Sequence, residues 1–198
     1  GTTSEESAFG PVRNPIDPSR SAGGSSGGAA AALAAGMCFG ALGTDTGGSI
    51  RIPSAACGTV GLKATIGEIS CEGVVPLSTS FDHLGPMART VADVALLFDV
   101  LTSRPGRPPR ATDPNAPLNG GRLVFGVPRP YFCDRVDTGT GQALEQACRR
   151  LRDAGHTIRD LAIDHAPSTP DVYLHIVLPE ASRYNARWLE RYAALYSP

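Results

Sequence analysis

Two glycine-rich stretches carry serines that could do chemistry: AGGSSGG (22–28) and GTDTGGS (43–49). The first runs straight into an alanine-rich segment, GAAAALAAGMC (28–38). Its serines therefore stand at a helix N-terminus, among N–H groups that lack an intrahelical partner and favour developing negative charge. The second places Ser49 directly after Gly47 and Gly48, and glycines there let backbone N–H groups approach a small target closely. Acyl transfer needs this pairing: a hydroxyl to attack a carbonyl and fixed donors to hold the oxyanion. Phosphate binding is the competing chemistry. A P-loop requires a lysine after its glycines, and a dinucleotide site requires G-x-G-x-x-G after a strand; neither stretch has either feature. Composition and spacing alone leave two readings open, a catalytic serine and a pair of tight turns.

The remaining reactive side chains offer less. His83 lies in SFDHLGP (80–86) and is read as a loop histidine that supports the core; His156, His165 and His175 share no ligand spacing, so no metal site is expected. Asp82 and His83 are sequence neighbours and would face opposite ways in a strand, which excludes a Ser-His-Asp arrangement through that pair. The cysteines Cys38, Cys57, Cys71, Cys133 and Cys148 form no C-x-x-C pair, which leaves free thiols and a cytoplasmic setting as the expectation. Lys63 is the only lysine, against 17 arginines. Tyr184, Trp188 and Tyr192 have helical spacing that suits packing, and Glu180 with Tyr184 is a candidate for the border of a pocket.

The elements that must position these groups follow from period and punctuation. Residues 28–38 read as a buried helix of small residues that Ser25 or Ser26 can cap. FGALG (39–43) reads as a short buried strand, and TVGLKAT (59–65) and GVVPL (73–77) as further strands. Thr90 opens an amphipathic helix with Val91, Val94, Ala95, Phe98 and Leu101 on one face and Asp93 three places after the cap. A Pro-rich connector (104–121) reads as a surface loop. Beyond it come a strand at 122–128, then a helix at 141–155 with Leu144, Ala147, Cys148 and Leu151 inward and Gly155 as its stop. A strand at 157–163 follows, and then a helix at 171–196 that Pro179 kinks or splits. Helices alternating with short strands predict an α/β fold whose central sheet is mixed and largely parallel, covered by helices.

Bulk properties narrow the function. The formal net charge of −1 lacks the basic field that a nucleic-acid or membrane-surface binder needs. No apolar run approaches the ~20 residues that span a bilayer, and no basic-then-apolar signal opens the chain. A small-molecule substrate is expected, with no direct nucleic-acid or membrane contact; a homo-oligomer is compatible.

GGSSGG followed by GTDTGGSIRIPSAACGTVGLKAT (43–65) resembles the amidase-signature family. The likeness runs from FGPVRNP (9–15) through GVVPLSTSFDHLGPMARTVAD (73–93) and continues more loosely through LVFGVPRPYF (123–132). The resemblance implies a Ser–Ser–Lys triad and no cofactor. Ser49 matches the nucleophile. Ser25 matches the bridging serine, which in the family follows a cis non-proline bond, here Gly24–Ser25. The N–H groups of Thr46, Gly47, Gly48 and Ser49 match the oxyanion hole, with Ser26, Thr44, Asp45 and Arg51 as supporting residues. Asp45 and Arg51 are equally read as a structural ion pair within the loop. One departure stands out. The family's lysine lies several tens of residues before the bridging serine, whereas the 24 residues ahead of Ser25 contain none, and Lys63 falls in a different segment. The chain is therefore expected to be the central part of a single amidase-signature domain, with lysine-bearing N-terminal and pocket-shaping C-terminal parts beyond it, and to be inactive alone. The implied activity is hydrolysis of a carboxylic amide. The alternatives are the glutamine-hydrolysing component of a tRNA-dependent amidotransferase and a non-catalytic scaffold homologue.

Overall fold

The computed structural model describes residues 1–7, 9–102 and 121–195. The chain divides into two compact units, Gly1–Pro114 with His175–Pro198, and Asn115–Leu174. The expected connector lies almost wholly outside the described residues.

The first unit is built on helix α1 (Gly27–Ala34), strand β1 (Gly40–Asp45), helix α2 (Arg51–Cys57), strand β2 (Val60–Gly61), strand β3 (His83–Ala88) and helix α3 (Val91–Thr102). The strands form one antiparallel sheet in the order β1-β3-β2, with Gly43 opposite Gly85 and Asp45 opposite His83. Alanines along α1 let it lie close, and Ala22, Ala30, Leu33, Ile50, Cys57 and Met87 make the core. Arg89 donates to the carbonyls of Leu33 and Cys38, placing a cation at the carbonyl end of α1, where the helix dipole favours it.

Space around Ile50 explains much of the glycine pattern. Ile50 follows Ser49 and is fully buried. A Cβ on Gly43, Gly61 or Gly85 would stand 2.9, 2.6 and 2.9 Å from its side chain. Three bare backbone positions thus form the seat that fixes the residue next to the candidate nucleophile. At Gly85 a Cβ would also collide with the carbonyl oxygen of Leu62, which is backbone and cannot rotate away. Gly85→Ala is expected to cost about 1–3 kcal/mol of overpacking strain, read as a lower urea midpoint with an unchanged slope.

Several sequence expectations need correction here. GVVPL (73–77) is not a strand: Pro76 has no N–H for a ladder, Gly73 turns at φ +81°, and Val75 is exposed. The strand is instead β3, in the segment read as a loop. Pro86 hid it; in the sheet only its carbonyl is used, accepting from Leu62. β1 exists, yet Leu42 on it is half exposed. β2 keeps only two of the seven residues expected. Ser26 is the N-cap residue of α1, but its hydroxyl makes no cap bond, because Thr44 has taken it. Thr90 does cap α3, its hydroxyl accepting the Asp93 N–H and donating to the Asp93 carboxylate, while Val91 points outward and Val94 is the buried residue.

The second unit contains strand β4 (Val124–Pro128), helix α4 (Thr138–Asp153) and strand β5 (Thr157–Leu161). β4 and β5 pair in parallel, with α4 as their crossover. Asp137 caps α4 through the N–H groups of Gly139 and Thr140, so the helix begins three residues before the expected 141. Cys148 is its buried residue, and Ala147, expected inward, is exposed. Arg129 ties the unit together through Asp160 and Glu145. The α/β class with mixed pairing is as expected; among the described residues the parallel share is the β4–β5 pair. Helix α5 (Thr169–Tyr192) is one element, so Pro179 does not split it. Among the described residues, no helix is long and apolar enough to cross a membrane.

Candidate active site

Hydrogen bonds lace the two serine loops to each other. Ser26 donates its N–H to the carbonyl of Ser49 at 3.1 Å. Its hydroxyl donates to Thr44 O at 3.3 Å and accepts from Thr44 N–H at 3.2 Å. Ser25 is thus one peptide from a direct bond to residue 49. The Gly24–Ser25 bond is cis, as the resemblance implied, and Ser25 is exposed while Ser49 is half-buried.

Asp45 organises the GGS turn from within. Its side chain is fully buried. One oxygen, Oδ1, accepts Gly48 N–H at 2.7 Å and Arg51 Nη2 at 2.9 Å. The other, Oδ2, accepts Ile50 N–H at 3.2 Å, Arg51 N–H at 3.4 Å and Arg51 Nε at 2.9 Å. Burial pushes this carboxyl up, but the Arg51 fork and the backbone donors outweigh it and hold it below its ordinary value. Asp45 in turn raises the Arg51 guanidinium. Gly48 sits at φ +131°, a conformation open to glycine alone, and a Cβ there would meet Ile52 Cδ1 at 2.7 Å. α2 then starts at once. Pro53 falls in its first turn, where no N–H partner is needed, and Gly58 at φ +67° ends it.

The four expected oxyanion donors differ in how they are engaged. The N–H of Gly48, one of the four, is spent on Asp45. The N–H groups of Thr46, Gly47 and Ser49 have no acceptor among the described residues. Lys63 donates from Nζ to the carbonyl of Ala64 at 3.0 Å. His83 is on β3, and its Nδ1 faces two carbonyls, of Phe81 at 2.6 Å and Asp45 at 3.2 Å. Facing only acceptors, Nδ1 carries the proton and anchors the ring to these two carbonyls.

Sequence reasoning did not single out Asp82 as part of this neighbourhood. Thr46 Oγ1 donates to Asp82 Oδ1 at 2.5 Å. The usable signal was the strand after it, since β3 pairing brings residue 83 opposite Asp45 and so carries Asp82 to the turn.

Comparison with known proteins identifies the family. A model of the Amidase family matches residues 1–196. In Salinibacter ruber, the A component of glutamyl-tRNA(Gln) amidotransferase is 40% identical over 195 residues, covering 95% of this chain and 38% of its own. A crystal structure of an amidase superposes with a TM-score of 0.87 at 39% identity, over 100% of this chain and 43% of the other. The corresponding amidotransferase component of Thermotoga maritima does so with a TM-score of 0.83 at 35% identity, over 98% and 46%. The chain therefore spans about two fifths of the length of the curated relatives it matches. Its GGSSGG and TDTGGS loops, the cis bond between Gly24 and Ser25, and a likeness that runs through nearly every residue make this chain a member of the amidase family.

Proposed function

We propose that these residues supply the nucleophile and the bridging serine of an enzyme that hydrolyses a carboxylic amide through an acyl-enzyme on Ser49. The observation that carries the reading is the turn at 46–49. Asp45 and Ser26 fix it from both sides, and three N–H groups beside Ser49 have no acceptor among the described residues.

A neutral amine takes the proton of Ser25 Oγ as Ser25 takes the proton of Ser49 Oγ, and Ser49 Oγ bonds to the amide carbon. The N–H groups of Thr46, Gly47 and Ser49 hold the resulting oxyanion. Collapse breaks the C–N bond; Ser25 gives its proton to the departing nitrogen and takes one back from the protonated amine, which is neutral again. Water then cleaves the ester by the same relay, releasing the acid and restoring Ser49. The amine is a lysine from outside these 198 residues. Two facts support that: Lys63 is the only lysine here and is bonded to Ala64, and the relatives extend well beyond the matched stretch. Burial that lowers its pKa would keep it neutral. Without it, the 198-residue chain is expected to show no measurable turnover of a simple aryl amide. Robust turnover that Ser49→Ala abolishes would refute the need for an outside base.

A second reading has its own support in the glutamyl-tRNA(Gln) amidotransferase relatives, which are 40% and 44% identical in Salinibacter ruber and Myxococcus xanthus. In that setting the same chemistry would release ammonia from glutamine within a complex. Release of ammonia from glutamine only when partner proteins are added would favour it; turnover of simple amides by the single enzyme would favour the first.

A further inference from the structure

A continuous set of hydrogen bonds leads from α5 to the donor turn. Glu180, on α5, accepts Ser78 Oγ on Oε2 at 2.5 Å and Ser80 N–H on the same oxygen at 3.1 Å, and it accepts the Ser80 hydroxyl on Oε1. Ser78 is fully buried. Its N–H and that of Leu77 donate to Asp82 Oδ2 at 3.0 and 2.8 Å. The other oxygen of Asp82 accepts Thr46 Oγ1. These residues all belong to the first unit.

The turn needs such a support. Gly47 and Gly48 have no side chains to pack, so their flanks set their place. Asp45 holds the Gly48–Arg51 side, and Ser26 holds the carbonyl of Ser49. The Thr46 side is held through its hydroxyl by Asp82. Thr46 also supplies one of the three N–H groups beside Ser49 that are open to an oxyanion.

The geometry points to Glu180 as a positioning residue for amide hydrolysis: through Ser78 and Asp82 it sets where the Thr46 end of the oxyanion turn stands. This rests on the acyl-enzyme reading of Ser49. Glu180 touches the 78–80 turn and not the reacting atoms, so it is not a catalytic residue. The Ser78 hydroxyl first, then the Ser80 hydroxyl and N–H, hold its carboxyl down to about 2, and it works as an ionised, charge-assisted acceptor. In Glu180→Gln the single amide oxygen can still accept Ser78 Oγ and Ser80 N–H, but the charge that strengthens those bonds is gone, so the substitution weakens the grip while keeping shape.

The test uses the longer enzyme that carries these residues together with its base. Four proteins are compared: unmodified, Glu180→Gln, Thr46→Val and the double variant. Each is followed by aryl-amide turnover and by the rate at which a fluorophosphonate labels Ser49, below its melting temperature. Glu180→Gln is expected to lower kcat and the labelling rate by about 10- to 100-fold, the usual cost of a small misplacement at a reacting centre, with KM little changed. Because Thr46→Val already cuts the same connection, the double variant should fall within about twofold of Thr46→Val alone. If Glu180→Gln fails to fold, Ser78→Ala cuts the network at its buried link and is read in the same way. A folded variant that labels and turns over like the unmodified enzyme would overturn the assignment, as would losses that simply add. No labelling of Ser49 in the unmodified enzyme would instead overturn the acyl-enzyme reading, and the assignment with it.

Discussion

Ser49→Ala is expected to lower amide turnover by the longer enzyme by about 10⁴-fold or more, because removing a nucleophile disables every step that its relay serves. Ser25→Ala should cost less: water can stand in for a missing hydroxyl in proton transfer, whereas nothing can stand in for the atom that bonds to carbon. Both variants should bind substrate with similar strength, so the loss belongs in kcat and little of it in KM. Steady-state kinetics on an aryl amide check this. A Ser49→Ala enzyme that keeps a tenth or more of its kcat (a loss of about 1.4 kcal/mol at most) would remove Ser49 from the chemistry.

The second large effect is on stability. Asp45 is a buried carboxylate with five donors. Asp45→Ala removes the acceptor and leaves the N–H groups of Gly48 and Ile50 orphaned in a place water does not reach. About 2–5 kcal/mol is expected, roughly 1–3 for each orphaned donor; Arg51 is half exposed and finds water instead. For a chain of this size that lowers Tm by roughly 10 °C. The sign with pH follows from the direction of the shift. Asp45 is held below its ordinary value of 3.8, so its contribution is present above that pH and is lost as pH falls through the folded value. Urea midpoints taken from pH 6 downward should therefore drop below about pH 4 in the unmodified chain, and drop less steeply in Asp45→Asn. Equal slopes for the two would show that this carboxylate does not carry the effect.

The loops were legible because chemistry restricts them tightly. Few residue types can follow Gly47 and Gly48 and still present a hydroxyl beside bare backbone donors, and a helix of alanines admits few neighbours. α3 was equally plain, since Thr90 and Asp93 announce its start. What stayed hidden depends on contacts between distant segments. β3 contains Pro86 and alternates poorly, because both of its flanks are occupied by other strands and its form is dictated by pairing with β1. GVVPL looked like a strand by residue type, but the backbone there turns at Gly73 and hands the N–H groups of Leu77 and Ser78 to Asp82. Glu180 reaches the 78–80 turn across 100 residues of sequence, and no local pattern could have paired them. The Gly48 donor shows the same limit at atomic scale: the family likeness counts four N–H groups, and one of them donates to the Asp45 carboxylate.

The central claim is that Ser49 is an activated nucleophile, and the most direct measurement is fluorophosphonate labelling of the longer enzyme followed by peptide mapping. A single adduct on Ser49, absent in Ser49→Ala and weaker in Ser25→Ala, is the expected result. A folded enzyme, carrying the outside lysine that the proposal requires, that takes up no label would contradict the account and leave these loops as the scaffold of a protein that performs no acyl transfer.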